Sequence, residues 1–258
     1  MKRILVALDG SPQSVAALEA AAHLAGLLEA ELVGVFDEDV NLLRLAGLPF
    51  ARVLQVPAAT AQAIDEQEME ARLAAQAAQL RRELQKTAQR RALAHSFQVL
   101  RGLVAAELLG LEADLLAMGR RSSGLWRGLG STAETAVSQA QQPILLLGAA
   151  AALDQPVFLL VNDLQLVQPA LRIAAALAEQ SGELHVLFAT GEAGSGLDNI
   201  LAEHENLFVM YHERQALAEL PELLEETAVG LLVIAGDVSD DAWQSLLQAV
   251  ELPVLIVR

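Results

Sequence analysis

The chain reads as an α/β protein built from two tandem doubly wound domains. Each is expected to be an open, mostly parallel five-stranded sheet flanked by helices. Two observations carry this. Short unbroken aliphatic runs alternate with helical patterns along the 258 residues, and a strand buried on both faces of a parallel sheet has no polar side to show. Three of these runs also recur in the same order. Ile4-Leu5-Val6-Ala7-Leu8-Asp9 matches Phe158-Leu159-Leu160-Val161-Asn162-Asp163. Asp114-Leu115-Leu116-Ala117-Met118 matches Gly230-Leu231-Leu232-Val233-Ile234, and Pro143 to Leu147 matches Pro253 to Val257. Ordered self-similarity points to an internal repeat, and alternating strand and helix implies βαβ units with right-handed crossovers.

In the first half, residues 1–148, the pattern predicts strands at 3–8, 31–36, 96–100, 114–118 and 143–147. Helices are expected at 12–28, 66–91, 104–111 and 132–140. The helix at 66–91 places Met69, Leu73, Ala77, Leu80, Leu84 and Ala88 on one face, a stripe suited to packing on a sheet. The segment from Asn41 to Phe50 carries several apolar residues where a loop or short helix is expected, as a cover for the cleft or part of an interface. After an alanine-rich linker from Gly148 to Pro156, the second half, residues 157–258, predicts strands at 157–161, 183–188, 207–211, 231–235 and 254–257. Its helices are expected at 165–180, 214–227 and 240–249.

Composition bounds the function. The chain is 53% apolar and 3% aromatic, which favours helices on aliphatic strands over an aromatic-rich sandwich. No apolar run reaches the roughly 20 residues that cross a bilayer; the richest is broken by Glu19, His23, Glu29 and Glu31. A membrane is therefore not expected as a partner. The start, MKRILVALDG, is too short in its apolar part for a secretory signal, so a cytoplasmic location is expected. With no cysteine, disulfides, thiolate catalysis and thiolate metal sites are excluded. A formal charge of −16 opposes nucleic acid as a partner.

Motifs exclude more chemistry. The P-loop spacing is absent: no lysine follows Gly130, and Leu125 stands where the first glycine belongs. No dinucleotide fingerprint follows Leu8, and no serine sits in a nucleophile elbow. Of His23, His95, His185, His204 and His212, none forms a metal-binding helix pair. His185, within a strand, reads as a satisfied core histidine.

One basic stretch stands out in this acidic chain: GRRSSGLWRGLGST, residues 119–132, with no carboxylate. Glycines let a backbone approach phosphate, and amides at a helix N-terminus supply positive partial charge. The same residues also have a structural reading, because Ser131-Thr132-Ala133-Glu134 has the form of a capping box.

Asp9-Gly10-Ser11 after the first strand, Met118-Gly119 ending the fourth, Gly130-Ser131-Thr132-Ala133-Glu134 opening a helix and the closing Pro143 strand together resemble the universal stress protein family. The resemblance covers essentially the whole chain as two tandem domains. It implies an adenine-nucleotide α-hydrolase-like fold and a stress-response protein. ATP-binding members carry G-x-x-G, nine further residues, then G-[ST]. Here Ser122 stands in the place of the second glycine, and Gly130 comes 11 residues after Gly119, where the pattern has 13. Carried over by position, the resemblance gives a nucleotide set of Asp9 on the adenine or ribose, Val35 against the base, Met118 and Gly119 in the cleft, and Ser122, Gly130, Ser131 and Thr132 around the phosphates. Arg120, Arg121 and Arg127 are candidate phosphate contacts. The implied ligand is ATP, AMP or another adenine nucleotide, with or without Mg²⁺.

The second half departs further. Leu116 to Pro143 spans 27 positions but Leu232 to Pro253 only 21, and the shortfall lies in the phosphate loop. Ala235 to Asp241 retains one glycine and three acids, which would repel a triphosphate. Residues 151–258 hold three arginines against 17 acidic residues. Asp237, Asp240 and Asp241 read as an acidic turn facing a helix dipole, with a Mg²⁺ site as the alternative.

Three functions remain open: a nucleotide-responsive binding module using the first half, a nucleotide-independent scaffold with unknown protein partners, and a weak ATPase using Asp9, Asp37 or Glu134. No catalytic constellation favours turnover. The resemblance implies pairing of the two closing strands within one chain as a pseudo-dimer, with a homodimer as the alternative.

Overall fold

The computed structural model describes residues 3–39, 52–55, 60–63, 66–102, 104–121, 129–148, 155–189, 207–212, 217 and 219–258. Asn41 to Phe50 lies outside these. In chain order the first half runs β1 (Arg3–Leu8), α1 (Pro12–Leu27), β2 (Glu31–Asp39), β3 (Arg52–Gln55), β4 (Thr60–Ala63) and α2 (Glu66–Arg90). It continues with β5 (His95–Gly102), α3 (Val104–Leu109), β6 (Leu115–Gly119), α4 (Ser131–Gln139) and β7 (Ile144–Leu147). The second half is β8 (Val157–Val161), a 3-10 turn (Leu164–Leu166), α5 (Val167–Ala178), β9 (Glu183–Phe188), β10 (Phe208–His212), α6 (Leu220–Glu226), β11 (Leu231–Ala235), α7 (Asp241–Ala249) and β12 (Val254–Val257).

Ten strands form one sheet in the order β10-β9-β8-β11-β12-β7-β6-β1-β2-β5. Each half contributes five strands in the same order, with the first strand central. Every pairing is parallel except β12 with β7, which run antiparallel through Val254–Leu146, Leu255–Leu145 and Ile256–Ile144. All six of those side chains are fully buried. The seam is thus continuous core, and the hydrogen-bond ladder crosses it without an edge.

The aliphatic strands are buried on both faces because helices cover both sides. Ile4 and Val6 of β1 face the cluster holding α1, α2 and α5, while Leu5 faces the one holding α4, α6 and α7. The α2 stripe packs on this core: Leu73, Ala77, Leu80, Leu84 and Ala88 are buried, and Met69 is partly so.

Several boundaries differ from the sequence expectation. A hairpin, β3–β4, stands where no strands are expected, paired antiparallel from Arg52–Ala63 to Gln55–Thr60. The helix expected at 165–180 starts as a 3-10 turn because the Asp163 carboxylate accepts from Gln165 N at 2.8 Å and turns the chain there. The helix expected at 214–227 is described only from Leu220, where Pro221 occupies its first turn. On β9, His185 is 1% exposed. Its Nε2 lies 2.9 Å from Glu183 Oε1 and its Nδ1 lies 2.7 Å from His212 Nε2. A carboxylate only accepts, so His185 Nε2 donates to Glu183. His204 lies outside the described residues.

Candidate functional site

A cleft of about 360 Å³ opens at the carboxyl ends of β1, β2 and β6. Doubly wound sheets place ligand sites there, where the strand order reverses. Its floor is apolar: Val35, Phe36, Leu100, Leu108 and Met118 line it, and Leu73 of α2 closes one side.

The β1 end is shaped by a sharp turn. Asp9 Oδ1 accepts from Ser11 N at 2.9 Å, and Gly10 takes φ +79°, a conformation that side chains strain against. Ser11 then caps α1, its Oγ accepting from Ser14 N at 3.1 Å, with Pro12 in the first turn. Gln76 of α2 donates to the Asp9 carbonyl at 2.7 Å and ties this turn to the long helix. Asp9 remains exposed at the cleft wall.

The opposite wall is the head of α4. Gly130, Ser131 and Thr132 all line the cleft. The sequence pattern puts the helix cap at Ser131, but the cap is Gly130, with φ −78° and ψ 159°. Gly130 is placed by its own amide, which donates to the Arg120 carbonyl at 2.7 Å. The capping-box reading therefore fails by one residue: Ser131 is already inside the helix, and Gly130 has no side chain with which to cap. The α4 terminus presents backbone donors and the positive end of a helix dipole toward the cleft.

Gly119 makes a close approach to α1. A Cβ there would lie 3.0 Å from Gln13 Cβ, and the Gln13 side chain in turn accepts from Arg121 N at 2.9 Å. Arg121 lines the cleft, partly exposed. Ser122 and Arg127 lie outside the described residues, as do Gly124 and Gly128.

Arg120 lines the cleft too, but its guanidinium does not turn toward it. It is 4% exposed and donates to the carbonyls of Leu252, at 3.2 Å, and Leu247 in the second half. Burial first, then the neighbouring Arg121 charge, lowers its pKa to about 10 against an opposing pull from Glu251. It stays cationic at neutral pH. Its expected role as a phosphate contact is corrected: this charge is spent on carbonyls of the other half.

At the matching place in the second half the end of β8 is bonded to the end of β11. Asp163 repeats the Asp9 turn, but Asn162 N and Asp163 N both donate to the Ala235 carbonyl at 2.9 Å. The short loop after β11 folds over this end. Asn162 Nδ2 donates to the Asp237 carbonyl at 3.2 Å, and Val238 is fully buried. Gly236 adopts φ +144°, and a Cβ there would lie 2.9 Å from Asn162 Cβ. Asp240 caps α7 by accepting from Trp243 N at 3.0 Å, so that helix head is closed by its own carboxylate. Asp237 accepts from Ser239 N and Oγ at 3.1 and 2.6 Å, which holds its carboxyl below the usual range. Among the described residues no group of three or more His, Cys, Asp or Glu gathers as a metal site. No helix among the described residues is long and apolar enough to cross a membrane.

No curated protein matches the chain. Among solved structures, a universal stress protein from Archaeoglobus fulgidus DSM 4304 aligns over 99% of this chain and 98% of its own, at 15% identity and a TM-score of 0.67. A putative universal stress protein from Pseudomonas aeruginosa UCBPP-PA14 aligns over 100% and 93%, at 16% identity and a TM-score of 0.63. A functionally unknown protein from Pseudomonas aeruginosa PAO1 aligns over 100% and 92%, with the same identity and TM-score. At these identities the likeness is one of fold. The family model described as "Universal stress protein family" matches residues 1–148, more than half of the sequence, and the chain belongs to the universal stress protein family.

Proposed function

We propose that this protein is a tandem, cytoplasmic stress-response module that binds an adenine nucleotide, ATP or AMP, in its first half only. The observation that carries the reading is the contrast between two helix heads. The head of α4 opens into a cleft with Gly130 as its cap, whereas the head of α7 is closed by Asp240. Anions favour an open helix N-terminus. The cleft volume lies within the range of small-molecule sites, roughly 300–1,000 Å³.

In this reading the base lies against Val35 and Met118, and Asp9 accepts from the ribose or the base edge. The α4 amides at Ser131 and Thr132, with Gly119 and Gly130 allowing close backbone approach, receive phosphate. Arg121, Ser122 and Arg127 border that end. A bound Mg²⁺ would screen phosphate charge, and no protein group is assigned to hold it. Among the described residues that line the cleft Asp9 is the one carboxylate, and this reading assigns it to the ribose or base, which favours binding over turnover.

Calorimetry with ATP and AMP, with and without Mg²⁺, tests the reading. Binding is expected, with Asp9→Ala and Gly130→Glu each weakening it about tenfold or more, the size of a lost charged hydrogen bond. No heat at millimolar nucleotide with folded protein would refute it and leave a nucleotide-independent scaffold as the surviving reading.

A further inference from the structure

Two arginines, Arg120 buried and Arg258 half-buried, cross the seam in opposite directions. Arg120, following β6, donates to the carbonyls of Leu247 and Leu252. Arg258, following β12, donates to the carbonyls of Val137 and Ala140. Each thereby reaches the C-terminal end of a helix in the other half. The amide of Ala140 closes on Ala136, and that of Val250 closes on Leu246. Val137 and Leu247 are thus the first carbonyls in α4 and α7 left without a helical partner, and an arginine takes each. Both lie seven residues beyond their helix caps, Gly130 and Asp240.

The arginines themselves are not at corresponding positions. Register places Gly119 beside Leu147 and Ala235 beside Val257, so Arg120 corresponds to Gly236 and Arg258 to Gly148. The same task is done from different strands on the two sides. At both places a glycine leaves room: a Cβ on Gly148 would lie 3.1 Å from the Glu251 carbonyl, and one on Gly236 would collide with Asn162. A cation at a helix C-terminus complements the dipole, and a charged donor to an orphan carbonyl is stronger than a neutral one.

The two ends of α4 then belong to different parts of the molecule. Its head lines the cleft, and its tail is held by Arg258 from the second half. Arg120 ties the other side of the same head, since its carbonyl receives the Gly130 amide while its guanidinium grips α7. We infer that Arg258 is a positioning residue for the cleft: by holding the tail of α4 it sets where the amides at its head stand, so the closed-over second half serves as the anchor of the first half's anion-binding helix. The inference rests on the proposed nucleotide site for its binding consequence and on the arginine contacts alone for its structural one.

The test uses the full chain carrying Arg258→Met, with Arg258→Lys as a milder variant that keeps the charge should the first not fold. Hydrogen exchange is read at the Gly130 and Glu134 amides, which bond to the Arg120 and Gly130 carbonyls, with Val15 at the head of α1 as control. Exchange at Gly130 and Glu134 is expected to rise about fivefold in Arg258→Met and less in Arg258→Lys, while Val15 is unchanged. ATP affinity is expected to fall about three- to tenfold, with adenosine affinity unchanged, because only the phosphates use the helix head. Unchanged exchange at Gly130 and Glu134, or a rise shared equally by Val15, overturns the inference. So does an equal loss of affinity for ATP and adenosine. Should the unmodified chain bind neither compound, the nucleotide site is wrong and the exchange comparison decides the anchoring role by itself.

Discussion

A glycine-to-alanine substitution is expected to act with opposite sign at two positions of the first half, and the difference measures how tightly the cleft is framed. At Gly119 the added Cβ would sit 3.0 Å from Gln13 Cβ and 3.4 Å from Gln13 C and Ser14 N. Carbon atoms pack at about 3.5–4.0 Å, so α1 and the end of β6 must separate by several tenths of an ångström. Neither can yield easily, because Ala17 of α1 and Leu116 of β6 are fully buried. Overpacking of this kind costs about 1–3 kcal/mol. For a chain of this length, at about 2–4 °C per kcal/mol, that is a fall in Tm of about 2–12 °C.

At Gly26, near the exposed end of α1, nothing lies within 4 Å of the added Cβ. Alanine there gains helix propensity and removes unfolded-state freedom, for a stabilisation of about 0.5 kcal/mol. The assay is urea and thermal unfolding of both variants beside the unmodified protein, followed by nucleotide titration. Gly119→Ala is also expected to weaken binding, since Gln13 carries the contact to Arg121 N. A Gly119→Ala protein as stable as the unmodified one, or a Gly26→Ala protein less stable, would refute the packing argument.

Two further outcomes follow from the geometry. Burial, and next the Arg91 charge, lowers the His23 pKa below the usual 6.5, and its buried Nε2 has no hydrogen-bond partner among the described residues. The unfolded chain therefore binds more protons below about pH 6.5, so this penalty is absent above that pH and grows as pH falls. His23→Leu is expected to flatten the loss of urea midpoint between pH 7.5 and 5.5; an unchanged slope would show that His23 does not contribute. In the second half, Asp163→Ala is expected to leave ATP affinity unchanged while Asp9→Ala weakens it. A comparable loss at both positions in calorimetry would mean that the second half also binds.

What could be read from the residues follows from which forces act locally. The strands were legible because burial on both faces demands unbroken aliphatic runs, and the α2 stripe because a helix on a sheet needs apolar residues at helical spacing. Asp9-Gly10-Ser11 was legible as a family-like motif directly after the first strand, though not as a turn. The β3–β4 hairpin was not, since its second strand, Thr60-Ala61-Gln62-Ala63, is poor in the residues that favour strands and is held by pairing with its neighbour.

The cleft divides the same way. Sequence by itself determined the repeat of five-stranded plans, the loss of loop in the second half and the presence of a basic, glycine-rich stretch after β6. Only the tertiary structure decided that Gly130 caps α4, because a hydrogen bond from Gly130 to the Arg120 carbonyl sets the helix start. Only it decided that Arg120 turns away from the cleft. A side chain's direction at a strand end depends on what lies across the seam, and there the carbonyls of Leu247, near the end of α7, and of Leu252 take the guanidinium. Charge near a glycine loop is a property of composition; which way that charge points is a property of packing.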